Sequence, residues 1–392
     1  MKILSVNAGS SSLKFTAYEM PEEDNLISGV FERIGMNDSF YTIKFNGEKI
    51  KKEVELPDHK RAFEILMEEL KDNGVVKSYD EIKGIGHRVA QGGSYFDKTV
   101  IIDEEVISQI EELSAIAPLH NPPAITGIRA AQEVVPKAVM TAVFDTAFHQ
   151  TMEEDAYLYA LPYEWSEEYK IRKYGFHGTS HKYVASRMNE ILGRYNTKLI
   201  TCHIGNGASI SAIEEGKCVD TSMGLTPNAG LIMGTRCGDI DASIVPYMMG
   251  KLKLSAKQMD EILNKKSGLL GISGESSDSR DIEDGINRGN ERCILAQKMY
   301  VRRIIDYIAK YYVLLGGCDA IVFTAGVGEN SIHTRREVLD GLSVLGIEID
   351  EEANNIRGEE RLITTPESKI PCYVIPTNEE VMIARDTYDL SK

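Results

Sequence analysis

The chain has 392 residues, 42% of them apolar and 27% charged, with a formal net charge of −16. That length exceeds one ordinary core and suits two domains. The acidic balance argues against a general nucleic-acid or anionic-membrane binder, so any anionic ligand needs a local cluster of Arg, Lys or Mg²⁺.

Six cysteines, at 202, 218, 237, 293, 318 and 372, contain no Cys-x-x-Cys pair. This pattern excludes a zinc ribbon or thioredoxin motif and suits a reducing cytosol. The apolar run at residues 3–6 is too short for a signal-peptide core, and no stretch has bilayer-crossing length. A cytoplasmic location is expected, with no membrane and no nucleic acid as partners.

Strand-like and helical runs alternate along the chain, which predicts an α/β fold. Residues 3–6 read as a strand, Asn7-Ala-Gly-Ser-Ser-Ser12 as a turn and residues 13–18 as a returning strand. Residues 62–70 place Phe63, Leu66, Met67 and Leu70 on one helical face. Residues 139–144 form a buried strand that delivers Asp145 at its end. Residues 199–202 and 209–213 flank a second turn, His203-Ile-Gly-Asn-Gly207. The two hairpins share apolar entry, polar exit and glycine offset, which hints at a duplication with one copy per domain. Residues 291–315 read as one helix with a stripe of Leu295, Met299, Ile305, Ile308 and Leu315, stopped by Gly316-Gly317. A strand at 320–323 leads into a third turn, Ala325-Gly-Val-Gly-Glu-Asn330, and residues 335–342 read as a helix. After a last strand at 372–375, Thr377-x-x-Glu380 matches a capping box. The domain boundary is expected near residue 150.

Three glycine-rich turns directly after strands offer unobstructed N–H groups, as a polyphosphate cradle requires. Taken singly, the first of them reads equally well as an ordinary hairpin. Arg88 and Arg236 each sit among glycines, in Gly86-His-Arg-Val-Ala-Gln-Gly-Gly93 and Gly234-Thr-Arg-Cys-Gly238. Such guanidinium groups suit a carboxylate or phosphate, although a surface ion pair is the commoner fate of an arginine. Asp145 fits either a Mg²⁺ or nucleophile-orienting acid or a helix N-cap. Glu379 fits a metal-bound water or a helix N-terminus. His120, His177 and His203 lie in glycine- or proline-marked loops and can donate to a transferring phosphoryl group.

Together these segments resemble the acetokinase family of the sugar kinase/Hsp70/actin superfamily. The match also takes in Ala117-Pro-Leu-His-Asn-Pro122, Arg172-Lys-Tyr-Gly-Phe-His-Gly-Thr-Ser-His181 and Pro376-Thr-Asn-Glu-Glu380, in order over essentially the whole chain. The resemblance implies ATP + acetate ⇌ ADP + acetyl phosphate, with Mg²⁺ or alternatively Mn²⁺, in a cytoplasmic homodimer. It implies two duplicated actin-like (ribonuclease H-like) domains with a central cleft. Residues 1–150 would form the acyl-substrate and dimer side, with the last helix, 381–392, packed on it, and residues 151–380 would bind nucleotide.

By the same resemblance Asp145, His177 and Arg236 carry catalysis, and Asn7 and Glu379 serve the metal. Arg88, Ala90, Leu119, His120, Phe176 and Pro227 surround the acyl substrate. Lys14, His203, Gly205, Asn206, Gly207, Asp278, Ser279, Arg280, Gly326, Val327, Gly328, Glu329 and Asn330 take the nucleotide.

Three positions depart from the family pattern. Where it reads Arg-Val-Val-His-Gly-Gly, this chain reads Arg88-Val-Ala-Gln-Gly-Gly93. Gln91 keeps hydrogen bonding but carries no charge. Ala90 removes two methyl-sized groups from the acyl pocket, which favours propionate, so a propionate-preferring carboxylate kinase is the alternative. Ser279 replaces a bulkier residue, which leaves the choice between ATP and GTP open. A non-catalytic ATP-binding switch would not need Arg88, His177 and the 118–122 loop. A sugar kinase would not need two glycine-flanked arginines.

Overall fold

The computed structural model describes all residues, 1–392, in two compact units, 1–150 with 378–392 and 151–377. In the first, β1 (Lys2–Gly9) is buried along most of its length, as a strand covered on both faces must be. It pairs antiparallel with β2 (Ser12–Glu19), so Asn7 stands opposite Lys14 and only Ser10 and Ser11 turn the chain. The turn expected over residues 7–12 is therefore mostly ladder. The antiparallel run continues through β3 (Asp24–Glu32), β4 (Phe40–Phe45) and β5 (Glu48–Glu53). Every residue of β5 is exposed, and its Lys and Glu side chains protect a free sheet edge.

Helix α1 (His59–Asp72) starts where the Asp58 carboxylate accepts from the Arg61 N–H. It buries the expected Phe63, Leu66, Met67 and Leu70. Next come β6 (Ile82–Val89), β7 (Val100–Ile101), α2 (Glu104–Glu112), α3 (Asn121–Val134) and β8 (Val139–Phe144). β6 runs parallel to β1 and β8 parallel to β6, giving the order β5-β4-β3-β2-β1-β6-β8-β7.

His87, on β6, is 2% exposed, and its Nε2 has no hydrogen-bond partner. Burial alone pushes its pKa down to about 3. The unfolded chain takes up a proton near pH 6.5 that the folded chain refuses, so stability is lost as pH falls below that value. His87→Leu is expected to flatten this acid slope. Its stability relative to wild type should rise by about 1 kcal/mol between pH 7 and pH 5.5 in urea unfolding, from roughly 1.4 kcal/mol per unit of pKa difference. Parallel curves for the two proteins would contradict this.

The second unit repeats the plan after α4 (Glu154–Tyr157), α5 (Tyr163–Tyr169) and α6 (Gly178–Leu192). Strands β9 (Lys198–Ile204), β10 (Ala208–Glu214) and β11 (Lys217–Thr221) form an antiparallel run. Five helices follow: α7 (Ile244–Leu252), α8 (Ala256–Lys265), α9 (Gly268–Ser273), α10 (Ser279–Asn287) and α11 (Glu291–Leu314). The chain then forms β12 (Ala320–Thr324), α12 (Ala325–Asn330), α13 (Ile332–Gly341), α14 (Glu351–Asn354), β13 (Arg361–Leu362) and β14 (Cys372–Val374). β12 lies parallel to β9, and β14 parallel to β12. The segment β11-β10-β9-β12-β14 thus has the order and directions of β3-β2-β1-β6-β8, which is the duplication read from the two hairpins.

Two local expectations change. Helix α11 buries Cys293, Ala296, Tyr300, Val301, Ile304, Ile308 and Tyr311, whereas Leu295 and Met299 are 50% and 37% exposed. The apolar residues circle this helix, so more than one stripe of helical spacing is available, and the one through Ala296, Tyr300, Ile304, Ile308 and Tyr311 faces the core. The third glycine turn is helical, as α12, entered through Ala325 at φ 65°.

Helix α15 (Glu379–Leu390) closes the chain on the first unit, capped by Asn378 rather than by the expected Thr377. The Asn378 amide oxygen accepts from the Val381 N–H at 3.0 Å. A Cβ at Gly86 would lie 2.2 Å from Thr387 Oγ1 and 2.5 Å from Ile383 Cγ2, so glycine on β6 is what lets α15 dock there.

Candidate active site

Each unit carries one polar cluster at its strand ends. In the first, β6 and β8 run side by side with Arg88 opposite Val143, which brings Asp145 just beyond β8 to the guanidinium. Arg88 Nε donates to Asp145 Oδ1 at 3.0 Å and Nη2 to Oδ2 at 2.6 Å. The Asp145 N–H donates to the Val89 carbonyl at 2.9 Å, and its side chain is 3% exposed. The Asp145 carboxylate, with Glu379 and Glu380 beyond it, holds the guanidinium charged far above its ordinary pKa. Burial pushes the Glu379 carboxyl up to about 7, against the pull of Arg88 and with the push of Asp145.

A cavity of about 360 Å³ is lined by Asn7, Ala8, Gly9, Ser12, Lys14, Val30, Arg88, Ala90, Leu119 and His120. Lys14, expected beside the nucleotide, lies here and pairs with Glu380. Gln91 is fully buried beneath the wall; its Oε1 accepts from the Gly93 N–H at 2.9 Å and its Nε2 has no partner. Asn121 grips the Gln91 backbone from both sides, at 3.1 Å and 3.0 Å. The departure from histidine is thus accommodated as a strut within the loop.

In the second unit, His177 adopts a left-handed φ of 58° just before α6. Its ring stacks on His203, with centroids 4.0 Å apart and planes 17° apart. His177 Nδ1 is joined to Ser209 Oγ at 2.9 Å, and His203 Nδ1 to Ser180 Oγ at 2.8 Å. A Cβ at Gly207 would lie 3.3 Å from Arg236 Nη1 and 3.5 Å from His177 Nε2, so these three residues converge. Arg236 donates to the Pro227 carbonyl at 3.2 Å and to the Met233 sulfur at 3.7 Å; no carboxylate pairs with it. Burial lowers its pKa. Phe176 is 6% exposed and belongs to this unit's core.

A larger cavity, about 590 Å³, takes in Gly205, Asn206, Asp278, Ser279, Arg280, Gly326, Val327 and Asn330 of the residues expected to bind nucleotide. Gly328 and Glu329 point elsewhere. The Gly328 α-carbon faces Phe323 and Cys202, and Glu329 Oε1 accepts from the N–H groups of Ala325 at 2.7 Å and Thr377 at 3.0 Å. Arg280 closes a bidentate pair on Asp278, at 3.0 and 2.6 Å, and its hydrogen bonds hold that carboxyl down at about 2. Leu269, Ser277, Glu283, Tyr300, Ser331 and Arg357, none of them expected from the sequence, share the lining. Arg357 carried a usable signal, since Asn354-Asn-Ile-Arg-Gly358 flanks a guanidinium with glycine as Arg88 and Arg236 are flanked.

No group of three or more His, Cys, Asp or Glu side chains is placed to hold a metal. Asn7 and Glu379 offer hard oxygen donors in the first unit. Such a pair suits Mg²⁺, which takes one or two protein oxygens and fills its other positions with water and phosphate.

Two sheets of one topology, each ending in a polar cluster, define an actin-like, two-unit α/β protein. Comparison with known proteins narrows this. The model of the acetokinase family matches residues 2–385. A protein of Listeria monocytogenes named acetate kinase 2 is 54% identical over 98% of both chains. The crystal structure of Porphyromonas gingivalis acetate kinase is 47% identical, covers 100% of each chain and superposes with a TM-score of 0.95. A propionate kinase from Francisella tularensis is 42% identical over 99% of each chain, with a TM-score of 0.93. The chain belongs to the acetokinase family.

Proposed function

We propose that this chain transfers the γ-phosphoryl group of ATP reversibly to acetate, giving ADP and acetyl phosphate. The observation that carries this is Arg88, fixed bidentately by Asp145 in a small cavity that also presents Ala90 and Leu119. A cation beside short apolar side chains suits a small carboxylate. First-unit residues take the acyl substrate, and second-unit residues take the nucleotide.

The nucleophile needs no base, because a carboxylate is already ionised at neutral pH. Its oxygen attacks the γ-phosphorus in line, the bond to the β-phosphate oxygen breaks, and ADP departs with the electron pair. No proton has to move. Both Asp145 oxygens are engaged on Arg88, so Asp145 orients the guanidinium rather than abstracting a proton. The barrier is repulsion between two anions, which Arg88, Arg236 and His177 lower by presenting fixed positive charge and donors. Mg²⁺, held through Asn7 and Glu379, would neutralise polyphosphate charge when bound, and Mn²⁺ could substitute. With hydroxylamine as trap, acetate and ATP should yield acetohydroxamate and ADP in equal amounts; ADP formation independent of acetate would reject the reading.

Ala90 supports a second reading, preference for propionate. Replacing Ala90 by Val should narrow the cavity and lower kcat/KM for propionate relative to acetate by roughly tenfold, within the 1–3 kcal/mol that a methylene-sized change commands. An unchanged ratio would leave Ala90 without a role in selectivity.

A homodimer is proposed with the second unit as its surface, not the first as the resemblance implied. Helix α7 buries no residue and exposes Ile244, Tyr247 and Leu252, while Leu161, Tyr163, Trp165 and Tyr169 are exposed around α5. A cytoplasmic location is supported by six free cysteines. No helix is long and apolar enough to cross a membrane.

A further inference from the structure

Two arginines beside the larger cavity have no carboxylate partner. Arg335, on α13, is completely buried, yet its guanidinium donates only to neutral oxygens. These are Asn354 Oδ1 at 2.8 Å and the carbonyls of Gly328 at 3.0 Å, Asn354 at 2.8 Å and Ile356 at 3.0 Å. Burial, with the charge of Arg357 added, pushes its pKa down to about 10. Arg335 therefore ties segment 354–356 to α12 and fixes the backbone from which Arg357 projects. On the far side the Gly358 N–H donates to the Glu329 carbonyl at 3.1 Å, and Gly358 takes a φ of 65°.

Arg357 itself is exposed, lines the cavity and makes no hydrogen bond or ion pair with the rest of the protein. The cavity's other cation, Arg280, is already engaged by Asp278. In a chain of net charge −16, a free guanidinium on an anchored stem is a binding element in search of a ligand.

Its place along the cavity indicates which part of a ligand it meets. Gly207 adjoins Arg236 and His177, and a Cβ at Gly205 would lie 3.8 Å from the Gly326 N–H nitrogen. That end, where α12 begins, is the phosphoryl-transfer end under the proposed function. Arg357 stands beside the other end of α12, because a Cβ at Gly358 would lie 3.8 Å from Asn330 Oδ1. The separation is about one helix length, roughly 6–8 Å at 1.5 Å per residue. Ser279, which lines the same cavity, leaves a flat ring little to rest on.

We infer that Arg357 is a nucleotide-binding residue that lays its guanidinium plane over the purine ring, remote from the transferred phosphate. Guanidinium groups stack on π faces and gain from both charge and planarity, whereas an ammonium offers only a point charge. The inference rests on the nucleotide reading of this cavity and adds the side chain that grips the base.

Calorimetric titration of the full chain with MgADP and, separately, with inorganic tripolyphosphate tests it on wild type, Arg357→Ala and Arg357→Lys. Both variants should weaken MgADP binding five- to tenfold, leave tripolyphosphate affinity within twofold and leave KM for acetate unchanged. Urea unfolding should superpose on wild type, since the side chain makes no hydrogen bond or ion pair that the variants would lose. Unchanged MgADP affinity in Arg357→Ala overturns the proposal. So does parallel loss of tripolyphosphate binding with recovery in Arg357→Lys, which would make Arg357 a phosphate ligand. Wild type that binds no MgADP at all refutes the nucleotide reading itself, and the proposal falls with it.

Discussion

Arg88→Gln is expected to lower acetate-dependent turnover by at least about 10³-fold and to destabilise the first unit by about 3 kcal/mol. The two losses have different origins. Catalysis loses the cation that orients one anion against another. Stability suffers because Asp145, with a side chain only 3% exposed, is left in the interior without its partner. The figure is set at the lower end for a buried pair because the Arg88 side chain is 26% exposed and water screens the exposed part. The double variant Arg88→Gln/Asp145→Asn separates the effects. Removing both charges should restore most of the unfolding free energy while activity stays lost. A double variant as unstable as the single one would show that the pair's neighbours, not the charge, hold the site. Recovered activity would remove Arg88 from the reaction.

Arg236→Gln is expected to cost activity while leaving stability nearly unchanged. Turnover should fall by roughly 10²–10³-fold, the effect of removing one donor from developing transition-state charge. The fold should lose less than about 1 kcal/mol, because Arg236 donates only to a carbonyl and a thioether and leaves no carboxylate behind. If the interaction forms mainly in the transition state, kcat should carry the loss and both KM values should stay within a few-fold. A loss confined to KM would instead make Arg236 a ground-state anchor.

Much of this architecture is legible in the sequence. The hairpins around Gly9 and Gly205 announced two copies of one strand plan, because apolar entry, polar exit and glycine offset survive at the level of single residues. The family is legible from many long segments in one order, which together do not recur by chance although a single glycine motif does. Local conformation was less so. Glycine suits a turn, a ladder end and a helix start alike, so 7–12 reads as a turn although Asn7 pairs with Lys14, and 325–330 reads as a turn although it is helical. On α11 the apolar residues surround the helix, so the stripe through Leu295 and Met299 and the buried stripe through Ala296, Tyr300, Ile304, Ile308 and Tyr311 share one helical spacing, and only packing tells them apart. Glu329 shows a further limit. Its place in a glycine-rich segment suggested the cavity, but its carboxylate satisfies the backbone of Ala325 and of Thr377, a residue 48 positions away. Arg357 has a glycine flank that the sequence shows, but its place beside Arg280, distant in sequence, comes only from folding.

In the proposed reaction a carboxylate oxygen attacks the γ-phosphorus directly. Phosphorus-31 NMR of the product formed from ATP and acetate labelled with ¹⁸O in both oxygens tests it. Direct attack gives acetyl phosphate whose phosphorus resonance carries the isotope shift of one bridging ¹⁸O, formed in step with ADP. Acetyl phosphate without that shift, or inorganic phosphate appearing at the same rate whether or not acetate is present, would contradict it.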